Sequence, residues 1–207
     1  MKIQTIVVSA FEQNSRILTC EQTGKSVLID PGDEAEKLLQ IIENSDLKIE
    51  YILATHGHID HIGAVAKIQK ALQIPFYINN GDKGFIDALP EQAKRLNFLN
   101  DSIPRVDGDI EDNSILRFGS CQLRAIHTPG HSPGSISFLA EDDLFVGDVL
   151  FSGSVGRTDL PGGSFAILEK SIRERLYVLP PETKVHTGHG PSTTIKREQQ
   201  FNPYVHL

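Results

Sequence analysis

Three histidines and an aspartate, His56, His58, Asp60 and His61, fall within six consecutive positions of the segment Ala54-Thr55-His56-Gly57-His58-Ile59-Asp60-His61-Ile62. Neutral imidazole and carboxylate are the ligand types suited to Zn²⁺, Fe²⁺ or Mn²⁺. In an extended loop, side chains two apart leave on the same side, so His56 and His58 can converge on one ion. Asp60 and His61, at the turn into a helix, can face a second ion beside the first. The competing account is a solvated loop that happens to be rich in histidine, or histidines satisfied in the core. Against it, three of the chain's eight histidines crowd into this stretch, directly behind the apolar run Tyr51-Ile52-Leu53.

Four ligands in one loop cannot complete two metal shells, so the rest are expected from loops elsewhere, and three candidates follow predicted strands. His131 lies in Thr128-Pro129-Gly130-His131-Ser132-Pro133-Gly134, where prolines and glycines fix the turn. Asp148 closes the apolar run Leu144-Phe145-Val146-Gly147. His189 sits in Thr187-Gly188-His189-Gly190-Pro191, whose glycines permit close backbone approach. Taken singly, the two histidines also read as ordinary surface residues and Asp148 as a turn or helix cap.

The elements that must position these residues alternate between strand and helix. Ile3 to Ala10, Arg16 to Cys20, Ser26 to Ile29, Ile49 to Ala54 and Phe76 to Ile78 read as strands. Asp33 is the expected cap of a helix with Ala35, Leu38, Leu39 and Ile42 on one face, and Ala64, Val65, Ile68 and Leu72 mark another. A helical stretch is expected from 81 to 100. A second series of strands covers Ile115 to Phe118, Cys121 to His127, Ser135 to Leu139 and Leu144 to Val146. A helix through Ile167 to Leu179, the strand Lys184 to His186 and a last helix from about 193 to 201 follow. Strands meeting helices in both halves imply two sheets packed face to face with helices outside, in one domain over 1–207.

Composition excludes several classes. Twenty Lys and Arg against 27 Asp and Glu give a formal charge of -7, which opposes extended contact with a phosphate backbone, so nucleic acid is not expected as a partner. No run approaches the ~18 apolar residues of a membrane span, and the first residues lack a signal-peptide pattern, so a cytoplasmic protein is expected. Cys20 and Cys121 read as buried free thiols of a reducing compartment.

Together and in this order, Asp30, Thr55-His56-Gly57-His58-Ile59-Asp60-His61, His131, Asp148 and His189 resemble the pattern of the metallo-β-lactamase superfamily over nearly the whole chain. The resemblance implies an α/β fold, an αββα sandwich of two mixed sheets with helices on the outer faces and a two-metal site along their shared edge. It implies that His56, His58 and His131 bind one divalent ion and Asp60, His61 and His189 a second, with Asp148 bridging. Asp30 would orient the histidine loop by hydrogen bonds. Zinc is the expected metal, with iron or manganese as alternatives. Within the superfamily the chain looks most like short glyoxalase II-type hydrolases, which cleave glutathione thioesters. The implied nucleophile is a hydroxide held between the ions beside Asp60 and Asp148, and the implied substrate a small thioester. The likeness to full-length glyoxalase II stops near residue 190, before the helical domain that holds glutathione there.

The segment Gly156-Arg157-Thr158-Asp159 also resembles persulfide dioxygenases, which would use a single iron on His56, His131 and Asp148. Lactonases and phosphodiesterases of the same fold share the seven ligands. A flavodiiron-like electron-transfer module would carry a glutamate where His58 stands. The Arg157 to Asp159 loop is expected at the mouth of the site, or else as a plain salt bridge. His127 and His186, near the ligand loops, are expected to be structural or to support the ligands from behind.

Overall fold

The computed structural model describes residues 1–45, 47–96, 98 and 102–206. In the first half, strands β1 (Lys2–Val8), β2 (Gln13–Thr19), β3 (Lys25–Ile29), β4 (Lys48–Leu53), β5 (Phe76–Ile78) and β6 (Gly108–Asp109) form one six-stranded sheet in that order. In the second, β7 (Ile115–Phe118), β8 (Cys121–His127), β9 (Ile136–Ala140), β10 (Asp143–Gly147), β13 (Lys184–Thr187) and β14 (Thr193–Thr194) form the other, in the order β14-β13-β10-β9-β8-β7. A small hairpin of β11 (Leu150–Phe151) and β12 (Ser154–Val155) stands apart. Both large sheets are mixed: β3 to β6 pair in parallel, as do β10 and β13, and the rest are antiparallel.

The layering follows from strand alternation. Successive side chains leave a strand on opposite faces, and here both faces are apolar. Val27 and Ile29 of β3, Leu53 of β4 and Phe145 of β10 join Phe118 and Phe138 in a core between the sheets. Leu28 and Ile52 face the other way, against α1 (Ala35–Asn44) and α3 (Val65–Leu72). Leu144 and Val146 pack on Leu168 of α6 (Phe165–Ser171), the following π-turn Ile172–Leu176, and Ile195 of α7 (Ile195–Phe201). The result is the αββα sandwich expected. Between α1 and α6 lie the short α2 (Ile59–Ile62), α4 (Lys83–Asp87) and α5 (Leu89–Leu96). No helix among the described residues is long and apolar enough to cross a membrane.

Three local expectations are corrected. The first helix starts at Ala35 with Glu34 as its left-handed N-cap, and Asp33 holds only the Glu34 backbone N–H, at 2.7 Å. Thr193 and Thr194 are strand, paired with β13; the Thr194 hydroxyl then caps α7. The stretch expected to be helical from 81 to 100 is split at Ala88 between α4 and α5, and its positions 97, 99 and 100 lie outside the described residues. Both cysteines are free; Cys20 is buried and Cys121 half-buried.

The sheets are stitched together where the site forms. Asn14 and Arg16 of β2 are buried and reach across: Asn14 Nδ2 donates to the carbonyls of Thr187 (3.1 Å) and Gly190 (3.0 Å), and Arg16 donates to Thr187 at 2.7 Å. These bonds fix the turn that carries His189. Asn14→Ala removes both Asn14 bonds to this turn, and should lower the unfolding free energy by about 1–3 kcal/mol in urea titrations, at about 0.5–1.5 kcal/mol per bond.

Candidate metal centre

The seven side chains singled out by spacing meet at one place. Each comes from the segment after a strand: Thr55 to His61 after β4, His131 after β8, Asp148 after β10 and His189 after β13. Three groups offer ligand atoms within 4.8 Å of one another: His56, His58 and His131; Asp60, His61 and His189; and His56, His61 and Asp148. His131 Nε2 lies 3.2 Å from His56 Nε2 and 2.9 Å from His58 Nδ1, and His61 Nε2 lies 3.3 Å from His189 Nε2. The Asp148 carboxylate touches both sides, 3.2 Å from His61 Nε2, 3.6 Å from His189 Nε2 and 3.8 Å from His131 Nε2. Asp60 lies 3.3 Å from His189 Nε2. Gly188 makes the approach possible, since a Cβ there would collide with Asp148 Oδ1.

The outer hydrogen bonds decide which nitrogen of each ring faces inward. A carbonyl can only accept, so His131 Nδ1 donates to Arg157 O (2.8 Å) and His189 Nδ1 to Phe11 O (2.8 Å). His61 Nδ1 donates to Asp30 Oδ2 at 3.0 Å. The Thr55 hydroxyl donates to the same oxygen at 2.7 Å and so accepts from His56 Nδ1 at 3.1 Å. Four rings therefore carry a fixed outward proton and aim Nε2 into the centre. His58 is turned round: its Nδ1 points in, and its buried Nε2 has no hydrogen-bond partner among the described residues.

Inward lone pairs at such distances repel unless a cation lies between them. Asp148 Oδ1, buried and without a hydrogen bond of good geometry, makes the same demand. The donor set of imidazoles and carboxylates fits divalent transition metals.

The two halves differ in charge. Burial, reinforced by the neighbouring imidazoles, holds His56 well below the ordinary histidine range and His58 down at about 4. Burial also opposes a charge on His61, but Asp148, Asp30 and Asp60 outweigh it and push His61 well above 6.5. His189 is raised as well, burial again being overcome by its bond to Asp60 and the field of Asp148. The same histidines hold Asp60 and Asp148 below the usual carboxylate range, although burial alone would raise them. His56, His58 and His131 are buried, whereas Asp60 and His189 keep 20% and 24% of their side-chain surface exposed, so the mouth opens on their side.

Asp30 does what its position implied: it accepts from Thr55 N (2.7 Å), Thr55 Oγ1 and His61 Nδ1, joining both halves of the histidine loop. Arg157 and Asp159 form an exposed bidentate pair at 2.7 Å. The link of that loop to the site runs through the Arg157 carbonyl, which no side-chain pattern reveals. His186 is structural, bonded to Asp143 at 2.7 Å and stacked on Phe145. His127 Nε2 bonds the Pro133 carbonyl at 2.9 Å and steadies the His131 turn. Sequence reasoning passed over Asp82, whose buried carboxylate holds both histidine-bearing loops, because nothing in its spacing marks it. It also passed over the rim: Phe11, half exposed, stacks on Phe98 at 5.7 Å, and Phe85 sets its ring 4.8 Å from that of His58.

This fold and ligand constellation define a metal-dependent enzyme scaffold, and the comparisons agree. A sequence profile of the Metallo-beta-lactamase superfamily matches residues 11–189. The chain belongs to that superfamily. It is 37% identical to the hydroxyacylglutathione hydrolase GloC of Haemophilus influenzae, over 99% of this chain and 98% of that one. Among solved structures it is similar to the B3 metallo-beta-lactamase BLEG-1 (TM-score 0.91, 35% identity, 99% of each chain). It is also similar to TTHA1623 in a di-iron-bound form (TM-score 0.88, 38% identity, 98% of this chain and 100% of that one).

Acid should empty the two halves in order. A ligand whose pKa is raised is protonated, and so lost to the metal, at higher pH than one whose pKa is lowered. The half built on His61 and His189 should release its ion first as pH falls, and the half that holds His56 and His58, whose rings resist protonation, should release its ion at lower pH. Metal content after equilibration at stepped pH should fall in two stages, and a single loss would contradict the division.

Proposed function

We propose that the protein is a binuclear metal-dependent hydrolase of S-acylglutathione-type thioesters such as S-lactoylglutathione. The observation that carries the reading is the Asp148 carboxylate, within 3.2 to 3.8 Å of histidines from both halves, a position suited to bridging two ions. His56, His58 and His131 would hold one ion, Asp60, His61 and His189 the other. Two divalent ions so bound supply hydroxide at neutral pH and polarise a carbonyl.

The remaining steps belong to the chain. Asp60 and Asp148, kept ionised by the neighbouring histidines, supply negative charge beside the site where hydroxide would be needed. Asp30, Thr55, Arg157 O and Phe11 O keep four of the five rings in one tautomer, so those four need not reorient during turnover. A thiolate with a parent pKa near 8.5 departs without full protonation, which suits a centre whose acidic side chains are all committed as ligands or to ligand support. The stacked Phe11 and Phe98 beside His189 offer an apolar wall for an acyl group. GloC, hydroxyacylglutathione hydrolase by name and similar over nearly its full length, supports the substrate class. The likeness to TTHA1623 in its di-iron form supports two ions and makes iron a candidate beside zinc and manganese.

The competing reading is a persulfide dioxygenase with one iron on His56, His131 and Asp148; the Gly156-Arg157-Thr158-Asp159 loop, whose Arg157 carbonyl holds His131, favours it. One experiment separates the two. The purified protein should carry close to two metal ions per chain by elemental analysis and hydrolyse S-lactoylglutathione, and Asp60→Ala and His189→Ala should each lower that turnover by orders of magnitude. Near-normal hydrolysis in both variants, or oxygen uptake with glutathione persulfide while thioesters stay intact, would overturn the hydrolase.

A further inference from the structure

We propose that Asp82 is a positioning residue that sets the geometry of the three-imidazole half of the centre, and through it that half's affinity for a divalent cation. Asp82 ends the helical turn Asn80–Asp82 after β5 and is fully buried. Its Oδ2 accepts from the backbone N–H of Gly57 at 2.8 Å and from the Ser132 hydroxyl at 2.7 Å, and its Oδ1 accepts from the N–H of Gly134 at 2.6 Å. Gly57 stands between His56 and His58, and Ser132 follows His131. One carboxylate thus ties together the two loops that carry all three imidazoles of this half.

The contact is built for close approach. A Cβ on Gly134 would come within 2.7 Å of Asp82 Cγ, and one on Gly57 within 3.0 Å of Asp82 Cβ, so both loops carry glycine where they meet this turn. No basic side chain among the described residues forms an ion pair with Asp82. Burying a carboxylate without a counter-ion is costly, and an asparagine could not take its place. Two backbone N–H groups approach opposite oxygens; an amide offers one oxygen, and its NH₂ would face the other N–H. The position requires two acceptors, and a dication held by His56, His58 and His131 would supply the charge that favours an anion there.

Asp82 touches none of the ligands of the other half, whose His61 is held by Asp30. The effect of Asp82 is therefore confined to one ion. The assignment is independent of the reaction catalysed, so its test reads metal binding rather than turnover. In a His189→Ala background, with the second half disabled, Zn²⁺ affinity is measured by competition with a chromophoric chelator, with and without Asp82→Asn. The expected result is a roughly 10- to 100-fold loss of affinity, accompanied by a changed visible spectrum of the Co²⁺-loaded protein. Affinity and spectrum unchanged in a folded variant would overturn the proposal. So would an equal loss at both sites when Asp82→Asn is made in the otherwise unaltered protein. Should Asp82→Asn fail to fold, Ser132→Ala removes a single donor and is expected to weaken the same ion a few-fold; no change there would also count against it.

Discussion

Five imidazole nitrogens and two carboxylates are forced to face one another across 2.9 to 3.9 Å, and the protein is arranged around that mutual repulsion. Left to themselves, such groups would turn outward to water or to donors. Four of the five rings are prevented from turning by an acceptor behind them: Asp30, the Thr55 hydroxyl, and the carbonyls of Phe11 and Arg157. These acceptors come from segments far apart in the chain, so the tautomers are fixed only in the folded state. The binding energy of a cation at such a centre is therefore largely stored beforehand, as folding energy spent on holding like groups together.

That expense explains the placement of the strongest bonds between the sheets. Asn14 and Arg16 cross from β2 to the His189 turn, and the Thr55 carbonyl accepts from Ile136 N of β9 at 2.8 Å. The apolar core between the sheets would tolerate small slips, because burial is not directional. The metal ligands would not. Polar bonds at the seam convert a sandwich held by burial into one whose halves meet in a single register.

Much of this was legible in the sequence, and the division is physical. The seven side chains that cluster were legible because metal chemistry restricts residue types and spacing within a loop, and because His131, Asp148 and His189 each follow an apolar strand. The layers were legible because strands buried on both faces read as apolar runs such as Leu144-Phe145-Val146. The acceptors behind the rings were not, since two of them are backbone carbonyls, which carry no signature in residue type. Asp82 and Asn14 were missed for a related reason: an isolated acid or amide looks like any turn residue until the chain is folded against it. The start of α1 was misread because Asp33 is a good cap by type, whereas the chain enters the helix through a left-handed Glu34.

Relatives as differently named as GloC and BLEG-1 resemble this chain over nearly its whole length. The seven clustered side chains and their supports ride on strand ends and on turns pinned by buried bonds, where a change of one side chain disturbs several others. The groups at the rim are different in kind. Phe11 sits in the turn between β1 and β2, Phe98 in the segment after α5, and Arg157 in the loop after β12, and none of their side chains supports a ligand. Loops of this sort change with little effect on the core. The metal-site cluster and the rim are thus carried by separate parts of the chain, the first by turns pinned at strand ends and the second by the loops of Phe11 and Arg157.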